Sequence, residues 1–211
     1  IQHKYGIPAV PHVLCNGFTK RETEDFLIEL HYMGIDRIMA LRGDGNDRKD
    51  NVYASDLVTQ IQQINHGVYT HSTGEQTKFT IGVAGYPEKH FQSPNMKTDL
   101  RYLKQKVDAG ADYVVTQMFF DNQKFYDFDT QCKQQGITAQ IIPGLKVLTK
   151  SKQLITLPSN FYLDIPYDLS QAVTQSPQHA IRIGVEWCQE QIKGLRKRGY
   201  PIHLYVMQDT D

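Results

Sequence analysis

An α/β chain on the plan of a (β/α)8 TIM barrel, with about six of the eight βα units present, is what this sequence predicts. Three observations predict it. Six short runs rich in Val and Ile recur along the 211 residues, and their brevity suits buried parallel strands. Stretches with helical spacing separate them, which is the alternation of a parallel sheet with helical crossovers. No G-x-G-x-x-G follows any strand, so a Rossmann dinucleotide fold has no support.

The first expected strand runs from Ala9 to Leu14. The helix after it opens at Thr19, with Glu22 three residues on as a capping box, and carries Phe26, Leu27, Leu30 and Met33 on one face. Arg37 to Leu41 is the second strand, and Tyr53 and Asp56 suit the start of the next helix. Phe79 to Ala84 is the third strand, followed by a helix with the stripe Leu100, Leu103 and Val107. Tyr113 to Met118 and Ala139 to Ile142 are the fourth and fifth strands. Ser176-Pro177 reads as a capping serine with proline at the first helical position, opening a long helix with Ile181, Val185, Cys188, Ile192 and Leu195 on its buried side. Ile202 to Val206 is the sixth strand. Gly34, Gly110, Gly136 and Gly199 each follow a helix, where a left-handed stop is expected.

Composition narrows the function. The charge is even, 23 Lys+Arg against 23 Asp+Glu, which argues against a nucleic-acid surface. Three widely spaced cysteines, Cys15, Cys132 and Cys188, form no metal pattern and suit reduced thiols in a cytoplasmic protein. No apolar run is long enough for a bilayer, and no export signal opens the chain. The start, Ile1-Gln2-His3-Lys4, reads as the middle of a longer protein. The expectation is a single catalytic barrel domain over residues 1–211, incomplete at its N-terminus.

In a barrel the βα loops at the C-terminal strand ends carry function. Unusual residues collect there. His12 and Cys15-Asn16-Gly17 belong to the first strand and its end. Arg42-Gly43-Asp44 ends the second, and Gly85-Tyr86-Pro87-Glu88 with His90 ends the third. Gln117 lies in the fourth, an amide between apolar neighbours that must find partners. Each has a plainer reading: a core histidine, a loop cap, a turn. Their shared position is what favours a site. The Arg-Gly-Asp tripeptide is also a cell-attachment signal, but that role needs an exported protein, and nothing marks this chain for export.

Five stretches in order, "ALRGD", "YASDLV", "GVAGYPEKH", "DAGADYVVTQMFFD" and "IIPGL", resemble the methylenetetrahydrofolate reductase family; "PHVLC", "IGVEWC" and "HLYVMQ" fit as well. The resemblance implies an FAD-containing barrel of one-carbon metabolism. NADH or NADPH reduces the flavin and leaves, and the folate then takes the same place, a ping-pong scheme. It implies cofactor contacts by His12, Arg42, Gly43, Asp44, Tyr53, Ala54, Tyr86, His90, Asp99 and Lys106, the last two toward the adenosine and phosphate portion. Asp44 and Gln117 are the implied catalytic residues, both facing the folate's pterin, and Gln153 is a further substrate contact. No metal is implied. A homo-oligomer that binds neither nucleic acid nor membrane is.

The sequence also departs from the family pattern. The family's general acid is a glutamate in a Phe-Glu-Phe-Phe-Pro type stretch, and these 211 residues hold neither that stretch nor a Thr-Tyr-Gly segment. Those two losses equal the two strands missing from the count. Leu157 stands at an aromatic stacking position and Asp209 at a basic one. The alternative reading is a non-catalytic flavin-binding relative that has lost the acid.

Overall fold

A computed structural model of the chain describes residues 1–45, 47 and 49–207. Asn46, in the polar segment after the second strand, and Gln208 and Asp209 lie outside the described residues. Six strands form one sheet in sequence order: β1 (His12–Leu14), β2 (Arg37–Leu41), β3 (Thr80–Gly85), β4 (Tyr113–Met118), β5 (Gln140–Leu145) and β6 (His203–Leu204). The pairs β1–β2, β2–β3 and β5–β6 run parallel, with Leu14 opposite Leu41 and Ile38 opposite Ile81. Helix α1 (Gln2–Tyr5) precedes β1, and α2 (Lys20–Tyr32), α3 (Ala54–Asn65), α4 (Met96–Asp108), α5 (Asn122–Gln134), α6 (Gln153–Phe161), α7 (Tyr167–Gln175) and α8 (Ala180–Lys197) fall between the strands. The alternation expected of an α/β fold is present.

Strand limits moved for physical reasons. β1 begins at His12 because Pro8 and Pro11 have no N–H for a ladder; Pro11 contributes only its carbonyl, to Met39. β6 shrinks to two residues because its partner β5 ends at Leu145.

The chain forms two compact units, residues 1–84 with 102–114 and residues 85–101 with 115–211. In the first, Val13, Ile38, Ala40, Ile81 and Val83 of the strands are buried, as are Leu57, Ile61 and Ile64 of α3. The capping box of α2 is as expected: Glu22 N–H donates to Thr19 Oγ1 at 3.2 Å, and Thr19 N–H to Glu22 Oε2 at 2.7 Å. Its buried face differs from the expected stripe. Leu27 and Leu30 are inside, but Phe26 and Met33 are exposed and Thr23 and Glu24 take their place. Glu24 tolerates burial because its carboxylate receives the Thr70 N–H at 2.7 Å.

In the second unit Met118, Phe120, Leu148, Leu157, Leu163, Leu169, Val173 and Ala180 make one core. Here too the long helix turned. A short 3₁₀ segment, Pro177–His179, precedes α8, so Ser176-Pro177 opens that turn rather than the α-helix. Ala180, Gly184, Cys188, Gln191 and Leu195 of α8 face inward, while Ile181 and Val185 are exposed. Gly184 explains the choice: a Cβ there would lie 1.9 Å from the Leu148 carbonyl oxygen, so only a glycine lets the helix approach that backbone. Two polar ties lock the face, Trp187 Nε1–H to Phe120 O at 2.9 Å and Gln191 Nε2–H to Phe119 O at 3.2 Å. All four expected glycine stops have positive φ. Among the described residues no cysteine is in a disulfide, and no helix is long and apolar enough to cross a membrane.

Candidate functional site

In the first unit the parallel pairing of β1, β2 and β3 brings their C-terminal ends to one edge. Cys15 N–H bonds Leu41 O at 3.0 Å and Asn16 N–H bonds Arg42 O at 3.1 Å, so pairing continues past both strands and holds the start of the Arg42-Gly43-Asp44 turn. Gly43 has φ +84°, a conformation L side chains rarely adopt. A Cβ there would sit 3.0 Å from Asn16 Cβ, and one at Gly45 2.2 Å from Asn16 Nδ2. Asn16 therefore packs under two glycines that flank the exposed Asp44. Its Oδ1 is buried without a partner among the described residues.

Lys106 of α4 donates through Nζ to Ala84 O, which sets its cation near the end of β3. Arg42 follows β2 and is half-buried. Tyr53 is the N-cap of α3 with its ring exposed, and Ala54 is the first helical residue. Asp56 orders this corner by accepting the N–H groups of Val52 at 3.1 Å and Tyr53 at 2.9 Å. His12 is exposed and opens β1 instead of closing it, opposite Met39.

In the second unit the loop after β3 is tied tightly to itself. Tyr86 and His90 meet edge to face, ring centroids 4.6 Å apart. Asp99, on α4, is buried and uses both oxygens: Oδ1 accepts from Ser93 Oγ at 2.7 Å and Oδ2 from His90 N–H at 3.1 Å. Lys89 Nζ donates to the carbonyls of His90 at 3.1 Å and Ser93 at 2.6 Å. Gln92 N–H donates to His90 Nδ1 at 3.1 Å. That bond leaves the ring proton on Nε2 and makes His90 a donor through that nitrogen.

Gln117 is half-buried on the Tyr113–Val115–Gln117 face of β4 rather than fully enclosed. Its Oε1 accepts the Met118 N–H at 2.9 Å, so the amide N–H2 is the end it can offer. Gln153 is buried at the start of α6, where Oε1 accepts from Thr149 N–H at 2.7 Å and Lys150 N–H at 3.1 Å. Leu157 is 3% exposed and belongs to the core.

Sequence reasoning named Asn16 and Glu88 among the residues at strand ends without giving either a role, and it did not name Lys124 or Asp164. Lys124 of α5 lies between the carboxylates of Glu88 and Asp164. Burial pushes the Glu88 carboxyl up despite Lys124, while the Lys124 ammonium holds Asp164 below the usual carboxylate range. The close approach of Asn16 to Gly43 and Gly45 is seen only in the structure, although two glycines one residue apart could have pointed to it. Nothing local signalled Lys124, an ordinary-looking cation on a polar helix face.

The donors suit a flavin dinucleotide. Arg42 and Lys106 are cations following β2 and beneath β3, adjacent parallel strands, and a diphosphate wants such charge. Asp44 stands on a backbone that glycines keep open to close approach.

Comparison with known proteins bears on the identity of this arrangement. A family model described as methylenetetrahydrofolate reductase matches residues 1–211. A Caenorhabditis elegans protein named probable methylenetetrahydrofolate reductase (NADPH) is 34% identical over 212 residues, covering 96% of this chain and 30% of its own length. The Escherichia coli 5,10-methylenetetrahydrofolate reductase is 31% identical over 217 residues, covering 100% of this chain and 69% of its own. A rice protein named probable methylenetetrahydrofolate reductase (NADH) is 32% identical, covering 98% and 37%. The chain thus spans about a third of the worm and rice proteins. Among solved structures, an uncharacterized protein from Clostridium thermocellum that binds two copies of 5-methyl-5,6,7,8-tetrahydrofolic acid has a TM-score of 0.57 at 15% identity, covering 96% of this chain and 68% of its own. At that identity the likeness is one of fold.

Proposed function

The chain belongs to the methylenetetrahydrofolate reductase family, and from that premise we propose that it is the catalytic barrel of an FAD-dependent enzyme. That enzyme reduces 5,10-methylenetetrahydrofolate to 5-methyltetrahydrofolate with NADH or NADPH, in a ping-pong scheme. The observation that carries the reading is the family match over the whole chain, which takes in every candidate residue from His12 to Gln153.

FAD, when bound, supplies the two-electron relay between nicotinamide and folate. This chain's residues hold and orient the reactants, while the acid that protonates the opening folate ring is not among these 211 residues. Arg42 and Lys106 neutralise the diphosphate, and His90 is a further contact on the loop after β3. Tyr53, Ala54, Gly43 and Tyr86 shape the cofactor's bed, with His12 a further contact. Asp99 works through the loop it holds. Asp44 sets a negative charge beside the pterin, which stabilises the cationic methylene-iminium form of the folate. Gln117 offers its amide N–H2 to an acceptor on the pterin edge. Gln153 shapes the substrate side by capping the turn before α6. The family resemblance also supports a cytoplasmic homo-oligomer.

The test is optical. Purified protein with FAD is yellow; NADH or NADPH under anaerobic conditions bleaches it, and methylenetetrahydrofolate restores the colour. Colour that bleaches but never returns with folate would favour the non-catalytic relative. Protein with no affinity for FAD would end the proposal.

A further inference from the structure

We infer that Glu88, Lys124 and Asp164 form a clasp that sets the position of the loop carrying Tyr86 and His90, and thereby tunes affinity for the dinucleotide without touching it. The inference rests on the proposed cofactor role of that loop. The residues named belong to the second unit, and none of the three clasp residues is among the contacts expected from the family.

The clasp is specific in its atoms. Lys124 Nζ reaches Glu88 Oε2 and, at 2.5 Å, Asp164 Oδ2. The backbone N–H of Asp164 donates to the same Glu88 oxygen at 3.0 Å. One carboxylate oxygen thus ties the loop after β3 to helix α5 and to the segment between α6 and α7. A second tie joins the same two segments: Phe91 stacks on Tyr162, centroids 4.4 Å apart and planes 12° from parallel. His90 packs on Phe91 in turn, ring centroids 4.7 Å apart and planes tilted by 30°. A shift of the clasp therefore moves His90 through its neighbour in the chain.

Backbone strain falls at the same place. Among the described residues only two non-glycine residues have positive φ, Lys89 at 72° and Tyr162 at 55°. One adjoins Glu88, and the other lies two residues before Asp164. Left-handed backbone is unfavourable for a residue with a side chain, and it persists only where surrounding contacts over-determine it. The ion pair and the ring stack are contacts of that kind.

The plain alternative is a surface salt bridge between loops, which would contribute little. Glu88 does not fit that description. Its side chain is 12% exposed, and its Oε1 is buried with no partner among the described residues. Burial raises its carboxyl in spite of the adjacent ammonium, so the fold works against the charge it keeps there. A well-packed apolar group is often the more stable choice at such a site. What a carboxylate contributes at this position is geometry: one oxygen that receives both the Lys124 ammonium and the Asp164 N–H.

The test uses FAD titration of the purified apoprotein, thermal unfolding, and amide exchange across residues 86–93. Lys124→Ala is expected to weaken FAD affinity about tenfold or more, the equivalent of ~1.4 kcal/mol, and to speed exchange at 86–93. Melting should move by only a few degrees. Lys124→Arg should restore most of the affinity, since an open cavity of about 400 Å³ beside Glu88, Lys124 and Asp164 leaves room for the guanidinium. Glu88→Gln with Lys124→Met should keep the melting temperature but not the affinity. Wild-type affinity and exchange in Lys124→Ala would overturn the inference. So would affinity that only follows melting temperature across all variants, with no rescue by Arg. If the wild type binds no FAD, the functional proposal fails on its own, and exchange at 86–93 still decides the clasp: faster in Lys124→Ala supports it, unchanged overturns it.

Discussion

Asp99 is where the structure turns a cofactor contact expected from family resemblance into a quantity. Its carboxylate is 8% exposed and accepts from Ser93 Oγ at 2.7 Å and His90 N–H at 3.1 Å. Hydrogen bonds to a charged group are worth roughly 1.5–3 kcal/mol each, so two make a gross loss of about 3–6 in Asp99→Ala. Water entering the gap and relief of the carboxylate's own desolvation return part of that, leaving ~2–4 kcal/mol. Asp99→Asn keeps one acceptor and can donate its N–H2 to a reversed Ser93 hydroxyl, so it should lose only about 1 kcal/mol. Urea unfolding gives the stabilities, amide exchange at His90 and Ser93 localises the effect, and FAD titration reads the consequence. Alanine should release the loop and weaken FAD binding in step with the exchange. If Asp99→Ala stays within about 0.5 kcal/mol of wild type with both amides still protected, the reasoning is wrong. Equal loss of FAD affinity in Ala and Asn with stability unchanged would mean that Asp99 acts on the cofactor directly.

Four further outcomes are expected. Asp44→Asn should slow the folate half-reaction by about 10²-fold while weakening FAD binding far less, read by stopped-flow bleaching and recolouring; loss of FAD with unchanged turnover of residual holoenzyme would remove the proposed role. Gly184→Ala should destabilise by roughly 1–3 kcal/mol in a denaturant titration, because the Leu148 carbonyl its Cβ would strike is backbone and cannot step aside. Tyr205, pushed up to about 12 by burial and then by the charge of Tyr86, should stay un-ionised in ultraviolet titration at a pH where free tyrosine has lost its proton. A raised pKa stabilises the protonated fold, so this contribution is full below the ordinary value of 10.0 and lost as pH climbs through about 12. Cys132 is fully buried and its thiol is likewise raised to about 12, so at pH 8 it should resist thiol reagents until the protein unfolds; rapid labelling of the native protein would contradict the structure.

Much of the fold was legible because it depends on local rules. Thr19 and Glu22 cap α2 as their spacing requires, the glycine stops are left-handed, and β2 and β4 fall where their apolar runs do. Failures occurred where a tertiary neighbour chose the face. Phe26 and Met33 lost their places on α2 to Thr23 and Glu24, partly because Thr70, far along the chain, satisfies Glu24. Ile181 and Val185 on α8 look like core from spacing alone, yet Gly184 faces Leu148 and turns them out. A hydrophobic stripe states which residues could be buried. A glycine among them can decide which are.

The candidate site divides along the same line. Groups placed by their own strand or helix could be read directly: Arg42 and Asp44 after β2, Tyr86 and His90 after β3, Gln117 in β4. Groups that position them could not, because their meaning lies in partners distant in sequence. Glu88 and Asp164 are 76 positions apart and meet at one oxygen atom. Asn16 acquires its role only when β1 lies beside β2. Gln153 shows the converse: by position it is a substrate contact, but its carbonyl oxygen is already committed to Thr149 and Lys150. A ligand that bonded this oxygen would have to displace two backbone donors, each worth about 1 kcal/mol net. The other end of the side chain, Nε2, is the donor that a glutamate would lack. Gln153→Glu, which keeps the cap and removes that donor, should separate the two roles: unchanged stability with weaker folate binding favours contact, and unchanged folate binding favours the cap alone.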